Sequence, residues 1–214
     1  MSKNQSKNES SLESILLEEL YDNGVYRLTL NDSNRRNALS EEMMASLSES
    51  INKASTNNAV RVIVIAANGP AFCAGHDLKQ MSAGRNSADN GHNYFTEVFS
   101  KCSSLMRSIT NNPKPIIAEV GGVAAAAGCQ LVACCDLAIA GESARFVTPG
   151  VNIGLFCSTP MVALSRNISN KAAMEMLLTG EMINSEKAER IGLINRVVKD
   201  ANLTDGAMAM AKVI

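Results

Sequence analysis

The sequence predicts an α/β domain in which strand–helix units surround a parallel sheet. Three observations carry this. Val60–Ala66 is a near-continuous apolar run, the pattern of a strand covered on both faces. Phe95, Val98, Phe99, Cys102, Leu105, Met106 and Ile109 keep helical spacing over several turns, the strongest helix signal in the chain. Strand-like and helix-like segments also alternate along the sequence instead of segregating. At 214 residues the chain is long enough for one domain, or one domain with an appendage.

The elements follow in order. Val25–Leu30 alternates and is rich in β-formers, so it reads as a strand, and Asn31–Asn37 is a polar turn. Ser40 caps a helix whose first turn carries Glu41 and Glu42, where the positive end of the helix dipole favours them. Met44, Leu47, Ile51 and Ala54 give that helix its apolar stripe. Asn68–Asp77 is a loop marked by Gly69-Pro70 and Gly75. Asn111–Pro115 stops the long helix, and Ile116–Val120 is a short strand broken by Gly121-Gly122. The Ala-rich segment Ala127–Cys135 is helical and Leu137–Ala140 returns to strand. A loop follows Thr148-Pro149-Gly150, then helices near Pro160–Arg166 and Ala172–Leu178. Ser185 caps a short helix ended by Gly192, and Leu193–Val198 is strand-like. Ala207, Met208, Met210 and Ala211 open an amphipathic helix near Ile214.

Composition excludes some classes of function. With a net charge of −1 the chain has no electrostatic case for nucleic acid or an anionic membrane surface. Its longest apolar runs, Val62–Ala67 and Val123–Cys135, are too short or too polar to span a bilayer. Six cysteines include the adjacent pair Cys134-Cys135 and no Cys-x-x-Cys spacing, which reads as buried or loop thiols in a reducing compartment. Two histidines, His76 and His92, are too few for a zinc site at these spacings. Met1–Leu12 has no apolar core for a secretory signal. It also lacks Arg, and Glu9, Glu13, Glu18 and Glu19 make it a poor mitochondrial presequence; residues 1–14 are expected to be a disordered tail.

Three segments carry the chemistry. They are Arg36-Asn37-Ala38-Leu39-Ser40, Gly69-Pro70-Ala71-Phe72-Cys73-Ala74-Gly75-His76-Asp77-Leu78-Lys79, and Pro115-Ile116-Ile117-Ala118-Glu119-Val120-Gly121-Gly122 continuing through Ala127-Gly128-Cys129-Gln130-Leu131 to Cys135-Asp136-Leu137. Phe146–Gly154 and Leu178-Thr179-Gly180-Glu181 follow them. In this order and spacing, over roughly residues 20–200, the chain resembles the enoyl-CoA hydratase/isomerase (crotonase) superfamily. Gly-x-Ser-x-Gly, P-loop and Gly-x-Gly-x-x-Gly signatures are absent from the sequence.

The resemblance implies a spiral of strand–strand–helix units that binds an acyl-CoA thioester, with no other cofactor. A thioester carbonyl gains negative charge when its neighbouring carbon is attacked or deprotonated, and two backbone N–H groups aimed at that oxygen stabilise it. By resemblance the donors are the N–H of His76 and the N–H of Ala127, the latter at a helix start where the dipole adds positive potential. Gly75 and Gly128 beside them are expected to let the backbone approach the ligand. The imidazole of His76 is read as a surface side chain or a base, with the backbone alone doing the chemistry. For the CoA moiety the resemblance points to Arg36 with its neighbour Arg35, to Lys79, and to Ala38 and Ala74 as backbone partners for adenine.

The pattern breaks at two positions. Hydratases of this family use one glutamate three residues after the second donor, where this chain has Gln130, and another after the proline of Phe146-Val147-Thr148-Pro149, where it has Gly150. Gln130 cannot accept a proton at neutral pH, and Gly150 has no side chain. General acid–base groups are each worth about 10²–10⁴-fold, so hydration is expected to be weak or absent. Cys157, Ser158 and Thr159 lie on the loop where some members place a further acid; Glu119 is expected to face away, and Asp136 to pair or cap near a strand start. The alternatives are a non-catalytic acyl-CoA-binding regulator of lipid metabolism and a thioester hydrolase or decarboxylase. The core is expected to span 15–200, with 201–214 opening a helical C-terminal region that is largely missing, as in a fragment of a longer protein. Full-length members are expected to form homotrimers or hexamers. The resemblance implies a mitochondrial location, the cytoplasm being the alternative.

Overall fold

The structure is a computed structural model and describes residues 14–214. The tail expected at 1–14 therefore lies, apart from Ser14, outside the described residues. Ser14 already belongs to the fold, since its carbonyl accepts from Asn31 Nδ2 at 2.9 Å.

Two sheets share the strands. The larger contains β1 (Leu16–Leu20), β2 (Val25–Leu30), β3 (Val62–Ala67), β5 (Ile116–Val120), β7 (Leu137–Gly141) and β10 (Arg196–Val198), in that order across the sheet. Only the β1–β2 pair is antiparallel there. The smaller contains β4 (Ala71–Cys73), β6 (Val123–Ala125), β8 (Arg145–Val147) and β9 (Ile183–Asn184). Successive strands alternate between sheets: β3 then β4, β5 then β6, β7 then β8. Each such pair is followed by helix, which is the strand–strand–helix spiral expected from the sequence. The helices are α1 (Glu41–Thr56), α2 (Leu78–Arg85), α3 (His92–Thr110), α4 (Ala127–Cys134), α5 (Ser158–Asn167), α6 (Asn170–Thr179), α7 (Ser185–Arg190) and α8 (Leu203–Lys212).

The physics of the core follows the strand period of two. In β3, Ile63 and Ile65 face the main core with Leu28, Leu30 and Leu105, while Val62 and Val64 face a second cluster with Ile117, Ile139, Ala207 and Met210. The large sheet is thus covered on one side by α1, α3 and α4 and on the other by α8. This is why Val60–Ala66 reads as apolar throughout rather than alternating. Among the described residues no helix is long and apolar enough to cross a membrane.

Five strands escape the sequence reading, the two-residue β9 among them. β4 lies inside what reads as a loop, β6 and β8 are three residues each, and β1 is exposed along most of its length. Three residues are too few to display alternation, so turn signals around them dominate. The short helix α7 is capped by Asn184, whose side chain accepts from Lys187 N–H, and not by Ser185. Ser185 is buried and donates to the carbonyls of Gly141 and Ala144, tying the two sheets together.

Candidate functional site

The parallel strands β4, β6 and β8 end side by side, with Cys73 paired to Ala124 and Ala125 paired to Val147. The segments leaving them, 74–76, 126–127 and 148–150, therefore emerge at one edge of the small sheet. That edge gathers His76, Ala127 and Gly150 in one place, although 74 residues separate the first from the last (150 − 76 = 74).

The first two segments touch. Gly75 has φ +90°, and a Cβ there would sit 3.0 Å from the Ala125 carbonyl and 3.4 Å from the Ala127 nitrogen. Ala126 takes φ 49° and ψ −117°, a sparsely populated conformation for a residue with a side chain, held by its N–H donating to Val147 O at 2.9 Å. Ala127 then opens α4, where a first-turn N–H has no partner within the helix. The His76 N–H likewise donates to no protein group among the described residues. Two backbone N–H groups thus stand on segments in contact, without protein partners among the described residues.

Gly75 and Gly128 are small for a different reason than the sequence suggests. A Cβ on Gly128 would lie 2.1 Å from the Cys73 carbonyl, and one on Gly75 would press on the 125–127 segment. They let the 74–76 and 125–128 segments pack closely together.

The ring of His76 is half-buried, edge-on to Phe99 with centroids 5.4 Å apart, and its Nδ1 is buried with no hydrogen-bond partner. Burial holds its pKa below the usual imidazole range, so the ring is neutral near pH 7. It is not the surface side chain expected from the sequence.

Gln130 lies one turn after Ala127 on α4, so the two share a face of the helix. It is 7% exposed, and its Oε1 is buried without a partner. It borders a cavity of about 190 Å³ between α3, α4 and α5, with Phe99, Met106, Thr159 and Val162 among the walls. Gly150 is also buried, but its side is closed: a Cβ would meet the Leu155 carbonyl at 2.3 Å and Cys157 Sγ at 2.8 Å. The other polar candidates divide. Thr159 lines the cavity; Cys157 is buried at the start of α5.

The early loop packs against the His76 loop. Leu39 N–H donates to Gly75 O at 2.8 Å and Ala74 N–H donates to Arg36 O at 3.1 Å, so Arg36, Ala38 and Ala74 lie together. Arg36 and Lys79 are exposed and make no ion pair among the described residues. Arg35 is different. It faces Asp32 at 2.6 Å, Asp77 at 3.5 Å and Glu42 at 3.7 Å, so it organises the loop and is not an unpaired cation. Asn37, missed in the sequence, is the loop's anchor: fully buried, it donates through Nδ2 to the carbonyls of Asn68 and Ala71, both at 2.8 Å. The signal for it was present, because Asn tolerates the left-handed conformation that it adopts at φ 52°.

Glu119 lies away from this edge, 5% exposed, held by Arg27 at 2.7 Å and accepting from Thr204 Oγ1 of α8 at 2.8 Å. Asp136 caps a strand start by accepting from Ile116 N–H at 2.8 Å. Both fit the structural roles expected of them.

Comparison with known proteins agrees with this architecture. A family model for enoyl-CoA hydratase/isomerase matches residues 21–214. The rat mitochondrial enoyl-CoA hydratase domain-containing protein 3 is 48% identical over 191 residues, which is 89% of this chain and 62% of that protein. The chain thus spans about six-tenths of the length of this curated relative and of its human counterpart. The crystal structure of an enoyl-CoA hydratase from Mycobacterium smegmatis is 49% identical, with a TM-score of 0.89 over 94% of this chain and 77% of that one. The human enoyl-CoA hydratase domain-containing protein 3 is 44% identical with a TM-score of 0.86, covering 93% of this chain and 76% of that one. Sequence order, the two-sheet spiral and these likenesses agree, and the chain belongs to the enoyl-CoA hydratase/isomerase family of crotonase-fold proteins.

Proposed function

We propose that this chain binds acyl-CoA thioesters through an oxyanion hole formed by the N–H groups of His76 and Ala127, and that its hydration of enoyl-CoA is weak or absent. The observation that carries the reading is the contact between the Gly75 and Ala125–Ala127 segments, which leaves both N–H groups without protein partners. Arg36 and Lys79 beside the same loop offer unpaired charge for the CoA phosphates. Ala38 and Ala74 offer backbone groups for adenine. No metal or further cofactor enters this reading; the CoA ester is the ligand.

The two hydratase glutamates correspond by resemblance to Gln130 and Gly150; the carboxylate next to His76, Asp77, caps α2 by accepting from Lys79 and Gln80 N–H and faces Arg35 at 3.5 Å. Glu119 is committed to Arg27 and Thr204, and Asp136 to Ile116. This favours, as a second reading, an acyl-CoA-binding regulator without turnover. A hole that stabilises an enolate or a tetrahedral oxyanion is also compatible with thioester hydrolysis or decarboxylation. The mitochondrial location follows the names of the relatives, and a trimer or hexamer follows the family resemblance alone.

Calorimetric titration of octanoyl-CoA against S-octyl-CoA tests the two-donor reading. The thioether keeps the tail and the nucleotide but has no carbonyl. Two hydrogen bonds at about 1 kcal/mol each predict that it binds roughly thirtyfold more weakly. Equal affinities would remove the oxyanion hole from the account, and binding of neither would remove the acyl-CoA site.

A further inference from the structure

The cavity beyond Gln130 has a direction. Three helices leave the site edge together and wall it. Phe99, Ser103 and Arg107 follow one another at intervals of four on α3; Thr159, Val162 and Arg166 do so at three and four on α5; Ala133 and Cys134 lie three and four residues after Gln130 on α4. Phe99 touches His76, and Thr159 follows Cys157, which abuts Gly150, so these residues mark the site end. Arg107 and Arg166 lie two turns further on, roughly 10–12 Å away at 1.5 Å per residue.

Neither arginine has a carboxylate partner among the described residues, whereas Arg27 and Arg35 both have one. Arg166 is close enough to the cavity wall to act on Cys134, whose thiol is pushed up to about 12 by burial while Arg166 pulls the other way. The stretch between the two ends is walled by Cys102, Met106, Ala133, Val162 and Ala163 with Ser103 among them, a mostly apolar passage. At its inner end the Gln130 side chain, more than nine-tenths buried, presents an unpartnered Oε1.

We propose that this passage takes an acyl chain of medium length whose far end is a carboxylate, so that the preferred ligands are CoA monoesters of dicarboxylic acids. The proposal rests on the acyl-CoA reading above and names the substrate class for the same site. A plain fatty acyl chain would satisfy the apolar stretch but leave two guanidinium groups facing its methyl end. A terminal carboxylate meets them with charge-assisted hydrogen bonds. The competing explanation is that both arginines merely complement the negative C-terminal ends of α3 and α5, in whose last turns they lie.

Calorimetry on the 214-residue chain with octanoyl-CoA and octanedioyl-CoA separates these. The proposal expects octanedioyl-CoA to bind about tenfold more tightly at low salt, the preference shrinking as salt screens the exposed arginines. It also expects the double variant Arg107→Met/Arg166→Met to bring the affinity ratio to about one or below. Equal or weaker binding of octanedioyl-CoA by the wild-type chain overturns the proposal and leaves the acyl-CoA site intact. A double variant that lowers the melting temperature while keeping a tenfold ratio assigns the arginines to the helix ends and also overturns it. Binding of neither ester overturns the underlying reading and this one with it.

Discussion

Gln130→Glu is expected to raise the rate of crotonyl-CoA hydration by about 10²-fold over the wild-type chain, the low end of what one general base contributes. The substitution changes no volume. Gln130 already projects from the second turn of α4, on the face shared with the Ala127 N–H, into the cavity where its Oε1 has no partner. A carboxyl in that place is nine-tenths buried, so desolvation raises its pKa toward the range in which a base serves near neutral pH. The gain stays at one group because the second cannot be rebuilt in the same way. At Gly150 a Cβ alone would meet the Leu155 carbonyl at 2.3 Å, so Gly150→Glu requires the 150–157 loop to move. Loss of enoyl absorbance, followed for both proteins at equal concentration, measures the effect. An unchanged rate for Gln130→Glu would mean that position 130 does not face the reacting carbon.

Gly128→Val is expected to destabilise the fold by about 3 kcal/mol or more, at the upper end of overpacking costs. The reason is local and severe. The added Cβ would lie 2.1 Å from the Cys73 carbonyl and 2.8 Å from its Cβ, and Cys73 is fully buried at the end of β4. Neither group is the flexible tip of a side chain. Either α4 moves off β4 or the small sheet opens, and both separate the His76 and Ala127 segments. Thermal unfolding should fall by roughly 6–12 °C at the 2–4 °C per kcal/mol usual for domains of this size. Gly121→Ala is the control. Its Cβ would meet only Leu203 Cδ2 at an ordinary 3.4 Å, and stability should shift by less than about 0.5 kcal/mol. Equal effects of the two substitutions would contradict the packing argument.

What the sequence made legible depended on how much chain each feature needed. The α3 stripe and the β3 run are long enough for periodicity to show, and Ser40 does cap α1 by accepting from Met43 N–H. The strands that position the site, β4, β6 and β8, are three residues each and were not legible, and the resemblance pointed only to residues that follow them. The site positions His76, Ala127, Gln130 and Gly150 came from the family resemblance, which the glycine-rich segments around them carry. The reason for those glycines was not readable. It lies in contacts between segments distant in sequence, such as Gly128 on Cys73. Phe99 illustrates the same limit. Its place in the apolar stripe suggests core, yet it is 39% exposed and serves as a wall shared by His76 and the cavity. Arg107 and Arg166 continue the helical spacing of the cavity walls, but only the packing of α4 between α3 and α5 brings them to a common cavity.

The measurement that bears most directly on the account is a titration of crotonyl-CoA into the wild-type chain, with binding heat and enoyl absorbance read from the same samples. The account predicts saturable binding while the absorbance stays unchanged over the time of the titration. Rapid loss of the enoyl absorbance would contradict it, because a working acid–base pair would then exist where Gln130 and Gly150 provide none.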